Sequence, residues 1–168
     1  LSASTEMGQG TNTLFAQIAA DAIGLPYEDV AVAVPDTRLV SNSGPTVASR
    51  TCMIVGKLVQ DSSLGMKELL IRSGYLKSKF TAKQFKAAAI HYQREVGPLK
   101  VFAQYEVPSE ISWDDKKYFG DAYATYAWAV YVAVVKVDTR TFETEVEDFV
   151  AVQEVGRVVH PVLAMGQI

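Results

Sequence analysis

Three short stretches carry residue types and spacings that could hold a charged ligand: EMGQG at 6 to 10, SGPTVASRT at 43 to 51, and GQ at 166 to 167. In the second, Gly44 and Pro45 end an extended loop. Proline suits the first turn of a following helix, where its missing N–H would have no partner anyway. Thr46 and Ser49 would then set two hydroxyls beside the unpaired N–H groups of a helix start, an arrangement that binds phosphate or another anion. Alone, such a nonapeptide is also an ordinary helix cap, so its meaning depends on what stands with it.

Two further stretches, GDAYATYAW at 120 to 128 and VGRVVHP at 155 to 161, stand with these three. In that order, over nearly the whole chain, they resemble the molybdenum-cofactor subunit of the molybdenum hydroxylases, the family of xanthine dehydrogenase, aldehyde oxidase and nicotinate dehydrogenase. The resemblance implies that Gly8 and Gln9 approach the pterin with backbone and side-chain amide. It gives Thr46, Val47, Ala48 and Ser49 to the pyranopterin phosphate, and Arg50 and Thr51 to a nucleotide where the cofactor carries one, such as the cytosine dinucleotide form. Gln167 would place its amide on the same cofactor. One departure is His160 before Pro161, where relatives more often carry asparagine.

The activity implied is hydroxylation of a purine, N-heterocycle or aldehyde with water as oxygen donor, and electrons would pass to iron–sulfur and flavin centres on other chains. The family's catalytic glutamate lies downstream of the terminal GQ, so no catalytic residue is expected within these residues. No metal ligand is expected either, because the pterin dithiolene supplies sulfur to molybdenum. The chain is thus expected to hold the cofactor without turning over alone, beside another segment of the molybdenum subunit, an iron–sulfur subunit and a flavin subunit, in the cytoplasm. A noncatalytic relative that keeps the fold for assembly is the competing reading, and another phosphate-bearing ligand at the helix start is a third. Convergence of Gln9, Ser49 and Gln167 on one anionic ligand would separate the first from the others.

At 168 residues the chain is of single-domain size, enough to bury about two-thirds of its unfolded surface. It begins with leucine and stops at a motif that lies inside a longer polypeptide in the family. It is therefore expected to be one α+β molybdopterin-binding domain, residues 1–168, within a larger two-lobed unit, as a fragment or a split subunit. Sixteen basic against nineteen acidic residues give a net charge of −3, which argues against nucleic acid as a main partner. No uncharged apolar run reaches the ~18 residues of a membrane span. Cys52, the single cysteine, excludes an internal disulfide and a self-contained iron–sulfur site. It reads as a small buried hydrophobe.

These motifs need elements to position them. Leu14, Phe15, Ile18, Ala19, Ala22 and Ile23 fall on one face of a helix over Thr11–Ile23, which Gly24 and Pro26 end. Residues 30 to 34 have the composition of a short strand. A helix is expected from near Pro45 past Val59, with Ser62, Ser63 and Gly65 weakening its continuation. The lysines between 74 and 97 are spaced as a solvated helix face rather than as a basic patch. Residues 99 to 107 read as a strand and 109 to 120 as a surface loop. Residues 126 to 137 are apolar on both alternations and read as a strand buried on both faces. A hairpin at 138 to 141 would return into 142 to 152, with Glu143, Glu145 and Glu147 on a wet face. Neither His91, read as an ordinary helical residue, nor the adjacent Asp114 and Asp115 offers a convincing acid or base.

Overall fold

A computed structural model describes residues 1 to 47 and 49 to 168. The chain divides into two compact units, Leu1–Glu106 and Val107–Ile168. Helices fill the first and two antiparallel hairpins dominate the second, so the class is α+β as the sequence predicts.

In the first unit, α1 spans Thr11–Ile23, the range that its apolar spacing requires. Phe15, Ala16, Ala19, Ala20 and Ile23 form its buried face. Gly24 ends it with a φ of 86°, a left-handed conformation that glycine adopts without the Cβ penalty, and donates its N–H to Ala20 O at 2.8 Å. A short 3-10 turn at Tyr27–Asp29 follows. Residues 30 to 34 join no sheet, correcting the expected strand.

The next helical segment starts at Arg50, not near Pro45. Its first full stretch, Thr51–Gly56, is π-helical and leads directly into α2, Lys57–Arg72. This wider turn sends Thr51, Val55 and Gly56 inward and leaves Cys52 exposed. The expected burial of Cys52 is thereby overturned, since the prediction assumed ordinary helical spacing. Gly56 matters here, because a Cβ at that position would lie 3.1 Å from Ile18 Cδ1. The absent side chain lets α1 sit close on the π-helical turn. α2 then continues unbroken through Ser62, Ser63 and Gly65.

α3, Ala82–Glu95, begins at a capping box in which the Thr81 hydroxyl accepts from Gln84 N and the Gln84 side chain accepts from Thr81 N. Ile23, Leu70, Leu76, Phe85 and Ala88 make one core cluster, with Leu25, Tyr75, Phe80, Tyr92 and Leu99 packed against it. Lys86 pairs with Asp29 at 2.5 Å and Lys67 donates to Ala22 O at 3.3 Å, tying α3 and α2 to the start and end of the α1 connection. Residues 99 to 107 form no ladder, against the expected strand. Leu99 packs on the core and Val101 Cγ1 sits 2.9 Å from where a Cβ on Gly65 would be, so the start of this stretch packs on helices, while Phe102 and Tyr105 are exposed.

In the second unit, β1 (Trp113–Asp114) pairs with β2 (Phe119–Gly120), so the expected surface loop is a tight hairpin. Asp114 Oδ1 accepts from the N–H groups of Lys116 and Lys117, and Asp115 accepts from the Trp113 indole N–H at 2.8 Å. Both carboxylates are thus turn residues, in keeping with the sequence reading. β3 (Trp128–Val137) and β4 (Thr144–Glu154) form the second hairpin around the predicted turn, closed by Asp138 N on Glu143 O. Val130 faces Val152, Val132 faces Val150, and Tyr131 stacks on Phe149. A bulge between Val134 and Val135 leaves Glu147 as the extra residue. Every residue of β3 is exposed, which corrects the strand buried on both faces: β3 pairs only with β4 among the described residues, and a two-stranded ribbon cannot by itself bury both faces. α4, Pro161–Met165, completes the unit. Among the described residues no helix is long and apolar enough to cross a membrane.

Leu70 is the most deeply buried side chain of the first unit, at 0% exposure. Leu70→Ala is expected to destabilise the first unit by about 2–5 kcal/mol through lost transfer energy and a residual cavity, read from the denaturant midpoint of the chain.

Candidate functional site

The site is built from the loop that leads into α1 and the loop that leads into the π-helical turn. In the first, two side chains organise the backbone of EMGQG. Glu6 Oε1 accepts from Gly8 N at 2.8 Å and Gly10 N at 3.1 Å, and its Oε2 accepts from Asn12 N at 2.9 Å. Gly10, at φ 87°, is the N-terminal cap residue of α1 and has no side chain to supply, so the carboxylate of Glu6 takes that part and suits the positive end of the helix dipole. The Asn12 N–H, followed by those of Gly10 and Gly8, holds the Glu6 carboxyl below the usual carboxylate range. Its hold on the loop is present above the ordinary range and is lost as pH falls through the lowered value.

Gln9 knits the same loop from within. Its Oε1 accepts from Met7 N at 2.7 Å, and its Nε2 donates to Thr5 O at 2.7 Å and Thr11 Oγ1 at 2.8 Å. Both amide hydrogens are spent, leaving acceptor capacity on Oε1. Gly8 and Gly10 have φ of 108° and 87°, and a Cβ on either would meet nothing within 4 Å. The loop therefore presents bare backbone to open space.

The second loop meets the first at a single bond. Thr5 N donates to Thr46 Oγ1 at 3.0 Å, across 41 residues of sequence. As an acceptor there, Thr46 keeps its own O–H to donate. Val47 and Ser49 are exposed, while Thr51 is buried at 8%. Ala48 lies outside the described residues. The Ser49 carbonyl accepts from Met53 N at 3.0 Å, so Ser49 stands at the turn where the helix begins.

Arg50 turns back over the loop. Its Nη1 donates to Ser43 O at 2.8 Å and Pro45 O at 3.2 Å, and its guanidinium lies over Gly44, where a Cβ would be 2.6 Å from Nη2. This explains why the helix starts later than the position of Pro45 suggested: the carbonyls at 43 and 45 are satisfied by a side chain rather than by a helical ladder. Among the described residues Ser43 Oγ is buried with no hydrogen-bond partner, an arrangement that normally costs free energy unless a ligand or water completes it.

Gln167 belongs to the second unit, exposed just after α4, with its backbone N–H on Ala164 O at 3.1 Å. His160 caps α4, its Nδ1 accepting from Leu163 N at 3.3 Å. Asparagine, which the family resemblance implies there, is itself a favoured cap residue, and His160 performs that local task here. His91 pairs with Glu95 at 2.9 Å on α3 and lies edge-on to Tyr75. Among the described residues no cluster of three or more His, Cys, Asp or Glu could hold a metal ion.

The donor set fits a phosphate-bearing ring cofactor. It offers an orphaned buried hydroxyl at Ser43, free hydroxyl hydrogens at Thr46 and Ser49, and side-chain-free backbone at Gly8 and Gly10. Sequence reasoning missed Glu6, Thr5 and Ser43. The signal for Glu6 was a carboxylate two residues before the first of two alternate glycines at a helix start. Gly44→Ala would force an alanine into a φ of 75° and push the guanidinium off its carbonyls. It is expected to cost about 1–2 kcal/mol from the left-handed conformation alone, with the clash adding to it, read as a lowered denaturant midpoint.

The molybdopterin cofactor-binding domain family matches residues 1–168. The chain is 32% identical to xanthine dehydrogenase 2 of Arabidopsis thaliana over 97% of its own length and 12% of that protein's. It is 26% identical to the carbon monoxide dehydrogenase large chain of Hydrogenophaga pseudoflava, and 26% identical to the nicotine 6-hydroxylase large subunit of Paenarthrobacter nicotinovorans. Each match covers 96% of this chain and 21% of the relative. The chain thus spans a small part of the relatives it matches. Its motifs, its paired glycine and hydroxyl loops and this full-length match agree, and the chain belongs to the molybdopterin cofactor-binding domain family of the molybdenum hydroxylases.

Proposed function

We propose that this chain is the cofactor-holding part of a molybdenum hydroxylase that acts on a purine, an N-heterocycle or an aldehyde. The observation that carries the reading is the Thr5 N to Thr46 Oγ1 bond, which joins the EMGQG loop to the SGPTVASRT loop as parts of one surface. Family membership supplies the ligand class that such a surface would meet. When bound, the molybdenum cofactor supplies the two-electron chemistry that moves an oxygen from water onto carbon.

This chain's own residues bind and orient. Gly8 and the backbone beside it would let a flat ring approach, while Gln9 offers its remaining Oε1 lone pair. The hydroxyls of Thr46 and Ser49 would donate to phosphate oxygens, and the family resemblance assigns Val47, Ala48 and Thr51 to the cofactor with them. Arg50, with further N–H groups beyond the one on the loop carbonyls, would meet a nucleotide phosphate if the cofactor is of dinucleotide form. The family resemblance also assigns Gln167 to the cofactor, and residues 1–168 to one molybdopterin-binding domain.

The rest of the reaction would come from elsewhere: the base and substrate pocket from another segment of the molybdenum subunit, and electron transfer from iron–sulfur and flavin subunits. The names of relatives include a large chain and a large subunit, which suits a multi-subunit assembly. A cytoplasmic site of action belongs to the same proposal. A hydrogen bond to a charged group contributes about 1.5–3 kcal/mol. Ser49→Ala should therefore lower cofactor retention by about one to two orders of magnitude, measured as molybdenum and released pterin per chain after dialysis. Content equal to wild type would remove Ser49 from the cradle.

A further inference from the structure

The carboxylate of Glu6 occupies the position where an anion would otherwise bind at the start of α1. It takes the N–H groups of Gly8, Gly10 and Asn12 within 3.1 Å, and these are the donors by which a helix start and a glycine loop attract phosphate. Gln9 in the same loop takes Met7 N and gives both amide hydrogens to Thr5 O and Thr11 Oγ1. The loop thus spends its carboxylate and most of its amide capacity on its own chain, and a Cβ at Gly8 or Gly10 would meet open space.

We propose that Glu6 is a positioning residue of the cofactor site, holding the glycine loop as a flat backbone platform and closing the start of α1 to anions. The inference rests on the cofactor-binding reading above. It adds that the two loops divide the ligand: the platform accepts uncharged ring surface, and anionic oxygens are left to Thr46 and Ser49. The division follows from charge. An ionised carboxylate already seated on the helix start repels a second anion and withholds the N–H groups that would bind it. The Thr5 N to Thr46 Oγ1 bond sets the platform beside the second loop, so a change in the platform is felt at the hydroxyls that would take the phosphate.

The test compares wild type, Glu6→Gln and Glu6→Asp in the enzyme carrying this chain, and reads two quantities. The first is amide hydrogen exchange at Gly8, Gly10 and Asn12, with the amides of Leu70 and Phe85 as reporters of the core. Glu6→Gln is expected to raise exchange at the three loop amides several-fold while the core amides stay protected, because a neutral amide oxygen is a weaker acceptor and Nε2 cannot accept at all. Glu6→Asp, which keeps the charge on a shorter arm, should restore part of that protection. The second quantity is molybdenum and pterin per chain, expected to fall several-fold in Glu6→Gln and to recover partly in Glu6→Asp.

Unchanged exchange at the three amides in Glu6→Gln would overturn the proposal outright. Freed loop amides with full cofactor content would also overturn it, since the loop would then be held without consequence for the ligand. Loss of protection at Leu70 and Phe85 in both variants would make Glu6 a residue of the fold and not of the site. A wild-type enzyme lacking molybdenum and pterin would instead sink the cofactor-binding reading, while the exchange data would still decide whether Glu6 holds the loop.

Discussion

The seating of α1 on the π-helical turn Thr51–Gly56 is the constraint on which the site depends. Gly56 allows Ile18 to approach so closely that an added Cβ would lie 3.1 Å from its Cδ1, and Thr51 and Val55 are buried on the same turn. Each of these two elements is preceded by one of the ligand loops. Packing the helices therefore fixes the loops, and the bond from Thr5 N to Thr46 Oγ1 is what that packing makes possible. A π-helical stretch costs hydrogen-bond geometry and tends to persist where function requires it; here it shapes the residues immediately after the cradle.

The two loops share a physical logic. Each contains one charged side chain, and each spends that charge on its own backbone: Glu6 on three N–H groups and Arg50 on two carbonyls. The glycines are where the backbone must turn left-handed, or where a guanidinium lies too close for a Cβ, as at Gly44. What remains for a ligand is hydroxyl hydrogens, bare peptide, the spare acceptor capacity of Gln9 Oε1 and the Arg50 N–H groups beyond Nη1. That set can recognise a phosphate-bearing ring system through shape and hydrogen bonding.

Much of this was legible in the sequence. The bounds of α1 followed from apolar spacing closed by Gly24 and Pro26, and the β3–β4 hairpin followed from alternation around residues 138 to 141. The motif order identified the family that the full-length match supports. What was not legible depends on tertiary competition. The late start of the second helix is set by Arg50 reaching back seven residues to Ser43, which no local rule contains. Cys52 is exposed because the turn is π-helical, and Leu99 and Val101 pack on the helices, where Gly65 leaves room for Val101, instead of on a strand neighbour. The apolar composition of β3 was correctly read as a strand, yet composition carries no information on whether a covering layer is present.

The central claim is that these two loops form one surface for a molybdenum cofactor. Quantitative metal and pterin analysis of the native assembly containing this chain tests it most directly, with identification of the subunits that co-purify. Molybdenum and a pterin in equal amounts with the chain, alongside iron-containing and flavin-containing partners, is the result predicted. A properly folded assembly free of both molybdenum and pterin would contradict it.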